Sequence, residues 1–168
     1  MKIILHIYHG SGKGKTTTAI GLAIRAVGAG LKVCFVQFLK NGSSSEVNIL
    51  KQIDDIEYLC CEECGKFVFQ MNDAEKAVVT SGNNGLIEKA FGSDADMIVL
   101  DEFLDTYNLN MTDRNSAEKY ILNSDREIIL TGRSPAEIFL NNAGYISEIT
   151  AVKHPYEKGV PARRGIEF

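Results

Sequence analysis

Short runs of β-branched and aromatic residues alternate along the chain with segments of helical periodicity. Five of these runs are almost continuously hydrophobic, as are strands that are buried on both faces of a parallel sheet. They cover residues 2–8, 32–38, 55–60, 96–103 and 127–132. A sixth run, at 145–150, alternates between apolar and polar residues and is predicted to be an edge strand.

Helical periodicity is clearest after the first strand. Apolar residues recur there at i, i+3, i+4 and i+7, the positions of Ile20, Ala23, Ile24 and Val27. They predict an amphipathic helix that ends at Gly28 or Gly30. Further helices are predicted at 46–53, 73–91, 114–123 and 135–142. Because strands and helices alternate, we expect an α/β fold with a mostly parallel central sheet flanked by helices. The chain has 168 residues and no internal repeat or convincing linker, so one domain over 1–168 is expected.

The loop between the first strand and the first helix reads HGSGKGKTT over residues 9–17. It resembles the phosphate-binding pattern Gly-x-x-x-x-Gly-Lys-[Ser/Thr], although His9 stands where the first glycine is expected. Such a loop holds anions with its backbone amides and with the positive end of the helix dipole. The glycines are expected to permit positive φ and a close approach of phosphate oxygens. The predicted phosphate-binding residues are Gly10, Ser11, Gly12, Lys13, Gly14, Lys15, Thr16 and Thr17.

Charged and hydroxyl side chains extend this prediction to Mg²⁺. Lys15 and Lys13 are expected to neutralise phosphate charge, and the Thr16 hydroxyl suits Mg²⁺. The strand DMIVLDEF ends in Asp101 and Glu102, at the sheet edge where ligands of α/β sheets bind. One of these two carboxylates is predicted to bind Mg²⁺, directly or through water. Loop and carboxylates together indicate a Mg-nucleotide protein, and they do not distinguish a kinase, an ATPase or a transferase.

Composition limits the classes of binding partner and the cellular location expected for the protein. A net charge of −4 argues against nonspecific nucleic-acid binding, which needs a basic surface. No segment approaches the ~20 apolar residues of a membrane span, and the first apolar run is too short for a secretory signal. We therefore expect a cytoplasmic protein that binds neither nucleic acid nor membrane.

The four cysteines are then expected to be thiols rather than disulfides. The segment CCEEC contains Cys60, Cys61 and Cys64, and its Cys-x-x-Cys could hold zinc or an iron–sulfur centre with Cys34 as a fourth ligand. A second Cys-x-x-Cys is missing, and Cys34 lies in a predicted buried strand, so thiols are favoured.

Several segments beyond the loop are similar to one known family. The segment LTGRSPAEI at 130–138 and the closing VKHPYEKGVPARRGIEF at 152–168 resemble the P-loop type of corrinoid adenosyltransferase. VCFVQFLKNG at 33–42 resembles the second strand of that family, and VLDE at 99–102 its acidic strand. A residue other than glycine commonly precedes the first loop glycine in this family, which accommodates His9. The resemblance covers essentially the whole chain.

The resemblance implies a P-loop NTPase fold of the RecA-like type and a defined reaction. The 5′-deoxyadenosyl group of ATP is transferred to Co(I) of a corrinoid, either cobalamin or cobyrinic acid a,c-diamide, with release of triphosphate. The implied catalytic residues are Lys15, Lys13 and Glu102, with Mg²⁺ held by Thr16, Glu102 and Asp101. The implied partners are ATP, the corrinoid, an electron-donating reductase or flavodoxin, and a second copy of the chain in a homodimer.

The family also places an aromatic pair beneath the corrin ring. The segment GKFVFQMND resembles the stretch that carries this pair, which assigns the role to Phe67 and Phe69, although the second aromatic is commonly tryptophan. Alternation alone favours a short strand with both rings on one core-facing side. His154 in the tail and Arg25 on the first helix also match family positions, while a structural histidine and a solvated arginine are the alternatives.

Two other functions remain open at this point. One is another P-loop ATPase or small-molecule kinase acting at the γ-phosphorus, which needs a group that orients water or activates an acceptor. The other is a noncatalytic nucleotide or corrinoid binder whose cysteines sense redox state or metal. Bound zinc or iron in the purified protein would favour this second possibility.

Overall fold

A six-stranded parallel sheet forms the centre of the computed structural model, which describes residues 4–167. Its strands β1 to β6 are Leu5–His9, Val33–Gln37, Ile56–Cys60, Met97–Asp101, Glu127–Gly132 and Tyr145–Glu148. They lie in the order β3-β2-β4-β5-β1-β6, and every neighbouring pair is parallel. The predicted α/β class is confirmed, and all six predicted strands are present. Strand β5 separates β1, which leads into the glycine loop, from β4, which ends in the acidic residues.

Six α-helices accompany the strands within residues 4–167. Helices α1 to α6 are Lys15–Gly28, Val47–Leu50, Asp73–Gly92, Phe103–Asn108, Arg114–Asn123 and Glu137–Leu140. Two 3₁₀ turns cover Val68–Gln70 and Pro155–Lys158. None of the helices in this part of the chain is long and apolar enough to cross a membrane.

The predicted helix boundaries are correct for three elements and wrong elsewhere. Helix α1 ends at Gly28, and α3 and α5 match 73–91 and 114–123 to within one residue. The helices predicted at 46–53 and 135–142 shrink to single turns of four residues. The run 96–103 was expected to be one strand, but β4 ends at Asp101 and Phe103 begins α4.

The core lies on both faces of the sheet. Alternate residues of β4 belong to two different hydrophobic clusters, one on each face of the sheet. Ile98 belongs to the cluster that contains Phe103, and Val99 belongs to the cluster that contains the buried alanines of α1. The buried residues of helix α1 are all alanines, Ala19, Ala23 and Ala26. Because these side chains are small, the helix lies close to the sheet. Burial on two faces explains why these strands are continuously apolar in sequence.

Strand β6 lies at the sheet edge and pairs only with β1, as its alternating sequence predicted. All four of its residues are exposed. The chain then continues to Ile149, whose amide donates to the carbonyl of His9 at 2.7 Å. This contact brings the end of β6 against the glycine loop.

Candidate nucleotide-binding site

The glycine loop connects β1 to α1 at the carboxyl edge of the sheet. Gly14 precedes the helix with φ of 120°, and no side chain caps the helix amides. The first amides of an α-helix have no partner within the helix, and the helix dipole places partial positive charge there. Lys15 begins the helix, and its ammonium donates to the carbonyl of Gly12 at 2.9 Å. Lys13 is exposed beside them. This end of α1 is therefore suited to an anion.

Two of the loop glycines, Gly10 and Gly12, also contact the segment that follows β6. The amide of Gly10 donates to the carbonyl of Arg133 at 3.0 Å, and the amide of Gly12 donates to the carbonyl of Ile149 at 2.7 Å. A Cβ on Gly10 or Gly12 would lie 2.5 or 2.7 Å from that Ile149 oxygen. Gly10 also has the expected positive φ, at 117°. Both positions leave no room for a Cβ because the backbone that follows β6 packs against the loop, and both amides already have partners. Open space surrounds Gly14 alone of the three.

Asp101, at the end of β4, is fully buried and accepts hydrogen bonds from four side chains. The hydroxyls of Thr16 and Thr131 donate to Oδ1 at 2.9 and 2.7 Å. Gln37 Nε2 and Lys40 Nζ each donate to Oδ2 at 3.1 Å. Because its two oxygens are occupied, Asp101 acts as a hub that ties the glycine loop to β2 and β5.

Glu102 follows Asp101 in the left-handed conformation, with φ of 62°, and its amide donates to the Thr131 hydroxyl at 2.9 Å. Burial, and next the charge of Asp101, raise the pKa of Glu102 to about 7, although Lys40 and Lys15 oppose this. Glu102 lines a cavity together with the glycine loop. Of the two predicted metal-binding carboxylates, Glu102 is thus the one facing the space where a ligand would lie.

Lys40 joins the site from the end of β2. Its ammonium lies 3.1 Å from Asp101 and 3.8 Å from Glu46. Burial lowers the pKa of Lys40, but the charges of Asp101, Glu102 and Glu46 outweigh burial and raise the pKa above its usual value. Lys40 remains a cation and balances part of the acidic charge around it.

Two neighbouring cavities open at this edge of the sheet. The first, of 150 Å³, is lined by the loop residues 12–17, Glu102 and two residues of the tail, Ile166 and Glu167. The second, of 350 Å³, is within the size range of small-molecule sites. Its lining residues are Thr16, Thr17, Ile20, Lys40, Ser45, Glu46, Gly165, Ile166 and Glu167. The tail therefore forms a wall common to both.

Phe67 and Phe69 do not lie in a core-facing strand, and that expectation is wrong. They flank the start of the Val68–Gln70 turn and are 70% and 82% exposed. Their rings stack with centroids 5.5 Å apart and planes inclined by 10°. Neither ring is among the described residues that line the two cavities. They form an exposed flat apolar surface.

The cysteines lie apart from the loop. Cys34 is buried in β2, where burial raises its pKa to about 12. Burial likewise raises the pKa of Cys61 to about 11, and its thiol donates to Glu63 at 3.4 Å. Within residues 4–167, no group of three or more His, Cys, Asp or Glu side chains is arranged to hold a metal ion.

Two further predicted positions have local explanations. His154 Nδ1 accepts from the amide of Tyr156 at 3.2 Å and so caps the second 3₁₀ turn. Arg25 is exposed on α1. Sequence reasoning missed the site roles of Gln37 and Thr131, whose signal was a polar residue at the carboxyl end of an otherwise apolar strand.

A parallel sheet with a glycine loop leading into α1, and an acidic residue at the end of a nearby strand, defines a P-loop nucleotide-binding protein. The chain belongs to the family described as ATP:corrinoid adenosyltransferase BtuR/CobO/CobP, whose model matches residues 1–168.

Individual relatives agree with this family. A corrinoid adenosyltransferase of Escherichia coli is 32% identical over 98% of this chain and 85% of its own length. The corrinoid adenosyltransferase CobA of Salmonella typhimurium is 30% identical with the same coverage, 98% and 85%. That of Pseudomonas aeruginosa is 28% identical over 98% of this chain and 83% of its own. Among solved structures, a KaiC-like protein of Pyrococcus horikoshii matches 87% of this chain and 71% of its own, with a TM-score of 0.48 and 14% identity.

Proposed function

We propose that this site transfers the 5′-deoxyadenosyl group of ATP to Co(I) of a corrinoid and releases triphosphate, in the biosynthesis or salvage of adenosylcobalamin. The observation that carries the proposal is the family match over residues 1–168, which includes the glycine loop and the acidic end of β4. Two contacts support it: the glycine loop and Glu102 line one cavity, and Asp101 accepts a hydrogen bond from the loop residue Thr16.

The reaction needs no protein nucleophile. Co(I) supplies the electron pair that forms the bond to C5′, and the bond from C5′ to the triphosphate oxygen breaks with its electrons leaving on that oxygen. The cobalt becomes a Co(III) alkyl. The protein must therefore align the reactants and stabilise the charge that grows on the leaving group. The amides at the start of α1, with Lys13 and Lys15, would bind that triphosphate, since they have no side-chain cap and both lysines line the loop cavity.

Mg²⁺ fits the oxygen donors beside the loop. Glu102 faces the loop cavity, and the Thr16 hydroxyl lies in the same lining, which together provide hard oxygen ligands. Bound Mg²⁺ would neutralise triphosphate charge. Asp101 would act indirectly by orienting Thr16, since its oxygens already accept four hydrogen bonds.

The stacked Phe67 and Phe69 rings are proposed to contact the corrinoid, because an exposed flat apolar surface suits a flat macrocycle. The remaining family properties extend the proposal: an electron-donating reductase or flavodoxin reduces Co(II), the chain forms a homodimer, and it works in the cytoplasm as one domain.

The test is an anaerobic incubation with Mg-ATP and chemically reduced cobalamin, followed by phosphorus NMR of the products. Triphosphate that forms only with corrinoid, together with a light-sensitive cobalt–carbon product, is the expected result. ADP and phosphate formed without corrinoid would instead identify an ATPase or kinase. Tight ATP binding without turnover would identify a noncatalytic binder.

A further inference from the structure

A chain of polar side chains runs from the edge strand β3 into the nucleotide site. Tyr58, on β3, donates from its hydroxyl to Gln37 Oε1 at 2.8 Å. Gln37 is fully buried at the end of β2, and its Nε2 donates to Glu46 at 3.0 Å and to Asp101 at 3.1 Å. Three consecutive sheet neighbours, β3, β2 and β4, are thereby linked at their carboxyl ends.

The Gln37 amide keeps two carboxylates together. Ionised Asp101 and Glu46 are acceptors only, so they need N–H donors between them. Gln37 provides two such hydrogen bonds, and Lys40 is the only cation that bridges the same pair among the described residues. The position of Glu46 therefore depends on how firmly the amide is held.

Tyr58 donates the hydrogen bond that the Gln37 amide oxygen, Oε1, requires. A buried carbonyl oxygen without a donor costs free energy, and it leaves the amide free to seek another rotamer. Burial, and next the neighbouring Cys60, raise the pKa of Tyr58, so its hydroxyl remains a donor at neutral pH.

Glu46 and Lys40 line the 350 Å³ cavity beside the glycine loop, whereas Tyr58 is not among the residues lining it. The hydroxyl of Tyr58 therefore reaches the cavity wall through its hydrogen bond to Gln37 and not by lining the cavity itself. We propose that Tyr58 is a positioning residue of the nucleotide site, which holds the Gln37 amide and, through it, Glu46 and Asp101 at the cavity wall. That the ligand is ATP rests on the proposed function.

The test compares Tyr58→Phe with the wild-type protein in Mg-ATP binding, measured by calorimetry, and in KM and kcat. We expect Tyr58→Phe to raise the Kd and KM for ATP by about threefold to tenfold, as expected for one lost hydrogen bond, with kcat changed less than twofold. Tyr145→Phe is the matched control, because Tyr145 is an exposed tyrosine on the opposite edge strand that stacks on His6. It should bind ATP as the wild-type protein does.

A double-mutant cycle separates positioning from a general loss of stability. If Tyr58 acts through Gln37, Tyr58→Phe should change ATP affinity little when it is added to Gln37→Leu. Unchanged ATP affinity in the single Tyr58→Phe variant would overturn the proposal. So would a double variant whose loss of ATP affinity is the product of the losses in Tyr58→Phe and Gln37→Leu. A drop in thermal stability with unchanged ATP affinity would show a purely structural tyrosine.

These outcomes are distinct from a failure of the proposed reaction. A wild-type protein that binds Mg-ATP but forms no corrinoid-dependent triphosphate would refute the reaction, and the binding comparison would still decide the role of Tyr58. A wild-type protein that does not bind Mg-ATP would overturn both.

Discussion

Asp101 is the residue on which the most contacts of the site converge. It is fully buried and accepts from Thr16, Thr131, Gln37 and Lys40. Asp101→Asn removes the negative charge that balances Lys40. It also replaces one acceptor oxygen by an NH₂ group, which would face side chains that are themselves donors. We expect a loss of about 3 kcal/mol in unfolding free energy, measured by urea denaturation. Asp125→Asn, at an exposed aspartate, is the control. Equal stability of the two variants would show that Asp101 is not a hub.

Glu102 predicts a specific pH dependence. Its ordinary pKa of 4.5 is raised to about 7 in the folded protein, so the folded state holds a proton that the unfolded state has released between these values. The contribution of Glu102 to stability is therefore present below pH 4.5 and is lost as the pH rises to about 7. Glu102→Gln should be more stable than the wild-type protein at pH 8 without nucleotide, by about 1–2 kcal/mol. Thermal unfolding at pH 4.5 and pH 8 tests this, and parallel pH profiles of the two proteins would contradict it.

The site residues that belong to a known sequence motif could be predicted. Residues that join the site only through a hydrogen bond to a distant part of the chain could not. Lys15, Thr16 and Glu102 follow from the loop motif and from the end of an apolar strand. Gln37 and Thr131 lie at the carboxyl ends of apolar strands, where sequence alone does not show that parallel register brings them to Asp101. Whether Phe67 and Phe69 were buried depended on the backbone, and a 3₁₀ turn exposes what a strand would have buried.

At the scale of elements, the glycine loop is held by the segment after β6. Gly12 lies outside the positive-φ region, but its added Cβ would meet the Ile149 carbonyl at 2.7 Å and displace the hydrogen bond to that oxygen. Gly12→Ala should therefore cost about 2–3 kcal/mol and loosen β6. Gly14→Ala meets open space and bears only the strain of φ at 120°, about 1–2 kcal/mol.

Hydrogen exchange of β6 amides distinguishes these two substitutions. We expect faster exchange in β6 for Gly12→Ala and unchanged exchange there for Gly14→Ala, since of these two glycines Gly12 alone contacts the segment that follows β6. Equal protection of β6 in both variants would mean that the contact at Ile149 does not hold the strand.

Strands were predictable from sequence where the sheet is buried on both of its faces. Strands β2 and β4 are buried at every residue, and such strands are continuously apolar in sequence. Helix α4 was missed because Phe103 and Leu104 continue the apolar run of β4, while the left-handed Glu102 that separates them has no signature in its side chain. Helices α2 and α6 are single turns, which periodicity cannot delimit.

At the scale of the whole molecule, the cavities at the glycine loop are partly lined by Ile166 and Glu167, about 150 positions further along the chain, a contact that no local pattern predicts. Arg163 holds Glu167 with its amide at 2.8 Å and its guanidinium at 3.1 and 3.3 Å. Glu167 lines both cavities, and Lys13 lines the smaller one with it. Hydrogen bonds from Arg163, and more weakly the charge of Lys13, lower the pKa of Glu167, so it is an anion at neutral pH.

An anion at the mouth of the loop should oppose the binding of another anion. We expect Glu167→Gln to bind inorganic triphosphate about twofold to fivefold more tightly than the wild-type protein, with a gain that shrinks as salt screens the repulsion. Glu157→Gln is the control, since Glu157 is an exposed tail glutamate outside both cavities. Calorimetric titration at low and high salt measures the difference. Weaker binding by Glu167→Gln would mean that this carboxylate helps to hold the ligand, and equal binding would mean that its charge does not act on the bound anion.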